Sequence, residues 1–371
     1  MTVLTGRLGQ VIYSKGLAMK YHQTTLKDIA RVANLSPSTI SRALNNHPRI
    51  STKTKEDILK LSKKMCYTPN LFARGLVKKK TYLIGLLVYD FCNPFYAELT
   101  RSIQDTAKEF GYWVIQASTD DEQEKADSLI NSMINLGVEG IIFASCTLHD
   151  RSVERLIDDR FPVVLLNRKL KRDRGDYVVL DNTYGAYLIV NHLIHLGYKR
   201  IGMIGGPRNV STSADRYRGY TKALREKGLE IDEDLIRHGF FSQETGFKFT
   251  KMMMGLLNPP EAIFCGDDYI ALGSMKAMGE LGLRVPDDVA LVGFDDSEIS
   301  SHPLIQLTTV SQNVQEMGRL GAKIMVEQIE GKLKKSQKIL LEPHLIIRQS
   351  CGYKLLSGVP RYQQSLLAEK Q

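Results

Sequence analysis

The sequence predicts an α/β protein with a small helical head in front of a larger core of parallel sheets covered by helices. Three observations carry this. From Tyr82 onward, short and nearly continuous apolar runs alternate with helical stretches, the pattern of strands buried on both faces. The alternation starts afresh after Asp181, which makes the core two units. Ahead of it, residues 24–65 show only helical periodicity, with a capping residue at each start.

In the head, Leu26, Ile29, Ala30 and Ala33 form one apolar stripe at helical spacing. Thr24 or Thr25 can cap its start, and Asn34 tolerates the left-handed conformation that ends a helix. Ser36 then caps a second helix with Pro37 at its first position, where a missing N–H costs nothing. Ile40, Ala43 and Leu44 face inward there, leaving Ser38, Thr39, Ser41 and Arg42 outward. Short polar groups and one Arg suit the floor of a DNA major groove, where donors and acceptors on base edges are read. The bland alternative is a capped amphipathic hairpin with a solvated face. A third capped helix spans Ser51 to Met65 with Ile58, Leu59 and Leu61 inward, and Tyr67, Thr68 and Pro69 end it. Asn70 can cap one or two further turns, LFARGL, before Lys78, Lys79 and Lys80.

The core's expected strands are YLIGLLVY, WVIQAS, GIIFAS, VVLLN and YVVLD, then RIGMIGG, AIFCGDD and VALVGFDD. Helices are expected over Ala97–Phe110, Glu122–Leu136 and Tyr184–Leu196. In such sheets small ligands bind in the crevice at the carboxyl ends of the strands. The residues found there are Phe95 and Tyr96 in NPFY, Asn167 and Arg168, Arg216, Phe241, Asp267 and Asp295. Aromatic rings, a fixed Arg and carboxylates suit a hydroxyl-rich ring compound such as a sugar, with a purine or nucleoside as the lesser alternative.

Charge separates the two parts. Residues 19–80 carry 14 Lys or Arg against three Asp or Glu, while residues 81–371 are slightly acidic, within a net charge of +9. A basic block on an acidic body is the footprint of a polyanion-binding head. Hydrophobic residues make up 43% of 371, enough for real cores. The five cysteines, Cys66, Cys92, Cys146, Cys265 and Cys351, are widely spaced with no C-x-x-C, so buried free thiols in a reducing cytoplasm are expected. No apolar run reaches the length of a membrane span. Residues 1–18 make a poor secretory signal; residues 1–22 are expected to be a disordered extension, with Met19 an alternative start, and 354–371 a flexible tail.

Catalytic signatures for phosphate-loop, zinc-protease and serine-hydrolase chemistry are absent from the sequence. His192 and His195 share a helix face but have no ligand partner at metal-site spacing, so they read as surface histidines. The pairs Asp267/Asp268 and Asp295/Asp296 follow apolar strands and read as ligand-gripping carboxylates. No catalytic residue, metal ligand or cofactor is expected.

The runs LKDIA, SPSTISRALN and YTPNLFARGL stand in the order and spacing of the LacI family of bacterial transcription repressors, and the chain resembles that family to about Tyr353. The resemblance implies a helix-turn-helix head over 23–68, a hinge helix and linker over 69–81, and a periplasmic-binding-protein-like core. Its subdomains would be 82–180 with 313–340, and 181–312 with 341–353, the chain crossing near Asp181, Ser311–Asn313 and Leu340. It implies a dimer on a near-palindromic operator in double-stranded DNA, with a tetramer and a phosphocarrier-protein partner left open. By position in the family motif, Pro37, Ser38 and Arg42 approach base edges and Thr39 and Ser41 the backbone, with Thr25, Asn45, Asn70, Ala73 and Lys79 also on DNA. Leu76 would wedge between base pairs in the minor groove. Asp181 joins the effector-binding set by the same argument. The rival function is a soluble sugar-binding receptor, which would have no use for Thr24–Lys80.

Overall fold

The computed structural model describes residues 24–67 and 80–353. Its contacts divide the chain into two compact units between Lys79 and Lys80.

The head holds three helices, α1 (Leu26–Ala33), α2 (Pro37–Leu44) and α3 (Thr52–Lys64). Thr25 opens α1 with a capping box: its hydroxyl accepts from Asp28 N, and Asp28 accepts from the Thr25 N–H in return. Ser36 caps α2 and Ser51 caps α3. Asn34 ends α1 at φ 53°, the left-handed turn that short polar side chains tolerate. The Thr24 hydroxyl donates to the Met65 carbonyl at 2.8 Å and ties the start of the head to its end. Ile29, Ala30, Ile40, Ala43 and Ile58 make the buried centre. Leu59, expected inward, is 46% exposed instead. Ile58 points at the core and the next residue lies about 100° around the helix, so Ser62, one turn on, takes the inner place and bonds back to the Ile58 carbonyl.

The core begins with a six-stranded parallel sheet in the order β11-β5-β4-β3-β1-β2. The strands are β1 (Leu83–Val88), β2 (Trp113–Ser118), β3 (Gly140–Phe143), β4 (Val163–Leu166), β5 (Asp176–Leu180) and, from far along the chain, β11 (Lys338–Leu341). Alternation along the strands fills both faces. Ile84, Leu86 and Val88 pack with α4 (Pro94–Glu109) and α11 (Val314–Ile329) on one side. Leu87, Ile141 and Leu165 pack with α5 (Gln123–Asn135) and α6 (Arg151–Asp158) on the other.

The second sheet is parallel in the order β7-β6-β8-β9: β6 (Ile201–Gly205), β7 (Ile236–His238), β8 (Ala262–Cys265) and β9 (Ala290–Val292). The helices α7 (Asn182–His195) and α8 (Ser211–Glu226) pack on one face of this sheet. On the other, α9 (Gln243–Met254) and α10 (Asp268–Glu280) cross at two glycines. A Cβ on Gly246 would fall on the Ile270 carbonyl, and one on Gly273 on the Gln243 carbonyl, so only glycine lets the helices approach this closely. The chain passes between the sheets three times: from β5 into α7, from β10 (Thr309–Ser311) into α11, and from β11 into β12 (His344–Ile346). β10 and β12 pair antiparallel beside the second sheet.

Candidate functional site

The carboxyl ends of the two sheets face each other across a closed cleft. Phe95 and Tyr96 enter from the start of α4, which Asn93 caps at the end of the β1 loop. Asn167 follows β4 at φ 62°. Thr212 and Arg216 lie on the first turns of α8, Phe241 follows β7, Asp267 follows β8, and Asp295 follows β9. Gln312, at the crossing after β10, completes the lining. The space left between these side chains is about 10 Å³, room for about one water. Ligand sites ordinarily offer a few hundred Å³ or more, so this conformer is shut.

Contacts from both sheets hold it shut. Asn93 Nδ2 donates to Asp267 Oδ2 at 3.0 Å across the cleft. Leu148 N donates to the Asn209 carbonyl at 2.8 Å, and Lys169 N to Ser211 Oγ at 2.9 Å. Arg168, fully buried, pairs with Asp121 at 2.7 Å. Its guanidinium lies 5.1 Å from the Tyr89 ring centre and 5.8 Å from that of Phe241, one ring from each half. A Cβ on Gly206 would collide with the Phe241 ring, so glycine there makes the room that ring occupies.

Arg216 is the cation of the second sheet's rim. Its Nε donates to Asn182 Oδ1 at 2.8 Å, Nη1 to the Gly266 carbonyl, and Nη2 to Asp295 Oδ1 at 3.5 Å, while its plane stacks 3.8 Å from the centre of the Phe294 ring. Burial works against its charge and pulls its pKa below the usual Arg value.

Each aspartate pair divides its labour. Asp267 lines the cleft and caps α10. Asp268 turns inward and accepts from Ser297 N, Ser297 Oγ and Thr309 Oγ1. Asp295 lines the cleft and accepts from Gln312 Nε2, whereas Asp296 pairs with Arg348 at 2.7 Å. The split follows from the backbone: Asp295 sits at φ 121° and Asp296 at φ 58°, held there by Asp295 N bonding the Val310 carbonyl. Burial raises all three inner carboxyls, Asp267 to about 6, Asp268 to about 7 and Asp295 well above the ordinary range despite Arg216 beside it.

Asp181 stands apart from the expected set. Its half-buried carboxylate accepts from Tyr184 N through Oδ1, capping α7 at the crossing, and it does not line the cleft. Asn93, in the NPFY loop expected to face a ligand, joins the lining, and Thr212 and Gln312 join it unforeseen. Gln312 follows a three-residue strand and has no local signal. A hollow of about 600 Å³ between α4 and α11 is an open groove between surface-charged helices and away from the cleft.

Two further expectations fail. His192 is buried, not on the surface; burial pushes it down to about 4, and Cys351 Sγ lies 3.4 Å from its Nε2, a neighbour that linear spacing cannot reveal. Cys66 and Cys92 are exposed, while Cys146, Cys265 and Cys351 are buried thiols. Among the described residues no group of three metal-ligating side chains forms, and no helix is long and apolar enough to cross a membrane.

On the head, the outer face of α2 presents Pro37, Ser38 and Arg42, all exposed, with Thr39 and Ser41 half-buried behind them. Ser36 Oγ bonds both Ser38 Oγ and Thr39 Oγ1 at 2.8 Å, which fixes the hydroxyl row at the helix start. Asn45 closes the face and donates to the Ser41 carbonyl at 2.8 Å. Thr25 is exposed at the start of α1. Asn70, Ala73, Leu76 and Lys79 lie outside the described residues.

Residues 25–70 match the family described as bacterial regulatory proteins, lacI family, and residues 190–351 match the periplasmic binding protein-like domain. The chain is 35% identical over 331 residues to the HTH-type transcriptional regulator DegA of Bacillus subtilis, covering 88% of this chain and 98% of that one. It belongs to the LacI family of transcriptional regulators. The LacI-family fold extends through head and core together: the lac repressor dimer bound to operator and the anti-inducer ONPF superposes with a TM-score of 0.79 at 26% identity, covering 89% of this regulator and 99% of that chain. The transcriptional regulator CelR in complex with cellobiose gives 0.68 at 28% identity, covering 88% and 100%. This regulator is accordingly a DNA-binding protein whose core carries the family's ligand-binding architecture.

Proposed function

We propose that this regulator is a cytoplasmic repressor. Two copies read the half-sites of a near-palindromic operator, and a sugar or sugar derivative in the cleft tunes the affinity. The observation that carries the reading is the joining in one chain of an exposed, hydroxyl-and-Arg helix face with a cleft of aromatics, one fixed guanidinium and two carboxylates. Pro37, Ser38 and Arg42 take base edges, and Thr39, Ser41, Thr25 and Asn45 fix the head on the backbone. Residues 69–81 act as the hinge, with Leu76 as the wedge and Lys79 on phosphate.

In the cleft, Tyr96 and Phe241 hold the apolar face of the sugar from opposite halves. Asp267, Asp295 and Arg216 take its hydroxyls, with Phe95, Asn167, Asn93, Thr212 and Gln312 around them. The halves are residues 82–180 with 313–340, and 181–312 with 341–353. A ligand that touches both changes their relative populations by its difference in affinity, which is what reaches the heads. The lac repressor and CelR complexes, with ONPF and cellobiose, support a sugar-like class.

The test has two arms. Selection from random duplex DNA should return a near-palindrome bound with steep salt dependence. Thermal shift against sugars, nucleosides and purines should then find a ligand that alters binding to that duplex. Selection without a two-fold pattern would remove the dimeric repressor, and a ligand whose binding survives both Arg216→Ala and Asp295→Ala would remove the cleft.

A further inference from the structure

The cleft has a surplus of one kind of chemistry. Two carboxylates, Asp267 and Asp295, line the cleft with the single guanidinium of Arg216, and a third, Asp268, lies behind them, all nine-tenths or more buried. Arg168 does not relieve them, because Asp121 already answers its charge. The main donors are also spent on the protein itself. Arg216 gives its three nitrogens to Asn182, Gly266 and Asp295; Gln312 gives its amide nitrogen to Asp295; Asn93 gives its own to Asp267.

Among the residues that line the cleft, the buried atoms left open are acceptors; behind it, Arg168 Nε and Nη2 are buried donors without a partner. Gln312 Oε1 and Asn167 Oδ1, on side chains 1% and 6% exposed that both line the cleft, have no hydrogen-bond partner. The Gln312 orientation is dictated chemically, since its amide nitrogen must face the Asp295 carboxylate. A buried acceptor without a partner and a buried charge without a counter-charge are each costly, and one ligand group answers both.

We propose that the effector is a hydroxylated ring bearing a protonated amine, an amino sugar, whose ammonium sits among Asp295, Asp267 and the Gln312 carbonyl. Three N–H donors on one positive centre match two carboxylates and a carbonyl. The ring carbons lie against Tyr96 and Phe241, where an ammonium substituent also gains from the aromatic faces. The inference rests on the cleft being the effector site and narrows what enters it.

The full-length protein at about pH 7, where such an amine is largely charged, is titrated calorimetrically with D-glucosamine, D-galactosamine, D-glucose, D-galactose and N-acetyl-D-glucosamine. At least one amino sugar should bind tenfold or more tightly than its hydroxyl counterpart, and N-acetylation should abolish the gain. Asp295→Asn and Asp267→Asn, which keep shape and remove charge, should erase the preference while leaving the core's thermal midpoint near or above the parent's. In the parent protein the preference should also fall as the pH is lowered and the carboxylates take up protons. If a neutral sugar matches its amino partner while still depending on Asp295, the effector site stands and the amine does not. If none of the five binds, or if binding ignores both variants and Arg216→Ala, the amine and this cleft assignment fall together.

Discussion

Arg216→Lys keeps a positive charge at the centre of the cleft and removes the fork that uses it. The guanidinium serves three acceptors in three directions, Asn182 Oδ1, the Gly266 carbonyl and Asp295, and stacks on Phe294. An ammonium on a flexible stem is one point charge and cannot reach all three. Asp295 would hold it, leaving the Asn182 and Gly266 oxygens buried without a donor at about 1–3 kcal/mol each. Loss of the stacked cation adds about 1–2 kcal/mol. The sum is roughly 3–8 kcal/mol from the core, and a domain of this size loses about 2–4 °C per kcal/mol, so its midpoint should fall by on the order of 10 °C or more. Calorimetry of the whole protein should show the core transition move while the head's stays fixed. A core midpoint within about 2 °C of the parent would refute the claim that this Arg is a structural hub.

Four other outcomes are expected. Arg42→Ala should cost about 1–3 kcal/mol on operator and relax preference at one base pair per half-site; equal loss on random duplex, measured by gel shift, would move Arg42 off the bases. In α3, Ile58→Ala should destabilise the head by about 2–4 kcal/mol while Leu59→Ser stays within about 0.5 kcal/mol, a contrast that urea melts of the head resolve. Asp267 and Asp268, at about 6 and 7, lie above the unfolded carboxylate value, so the folded core holds protons that the unfolded chain has released. These groups therefore make core stability fall as pH rises from about 4 to about 7, and Asp267→Asn should flatten that slope; an unchanged slope counts against the buried cluster. Gly273→Ala should force α9 and α10 apart and cost more than about 2 kcal/mol, whereas Gly279→Ala on the same helix, with open space around its Cβ position, should be neutral or stabilising.

What the sequence made legible was whatever a local pattern encodes. Apolar runs such as VVLL and AIFC are long enough to announce strands, and Ser36-Pro37 announces a helix start. β7, β10 and β12 are three residues each, below the length at which alternation can be seen, and β11 alternates exposed and half-buried as a sheet edge does. Leu59 was misplaced because on α3 it lies about 100° around from Ile58, and Ser62, one turn from Ile58, takes the inner place. The cleft's charged members were visible as strand-end residues, but which aspartate of the second pair faces the cleft depends on φ at Asp295 and Asp296, and no composition rule carries that. Gln312 becomes a cleft residue only when distant segments close on each other, and Asp181 caps α7 at the crossing, outside the lining.

A cleft packed with its own side chains has a consequence for time as well as affinity. No ligand larger than water can enter while Asn93 touches Asp267 and Phe241 lies under Arg168, so association must wait for the halves to part. At high effector concentration the observed rate should then level off at the opening rate instead of rising in proportion. Apparent affinity is likewise reduced by the fraction of molecules that are open at any moment. With the proposed effector in this cleft, a brief pulse would pass unanswered and a sustained one would register, a filter on duration set by the side chains that close it.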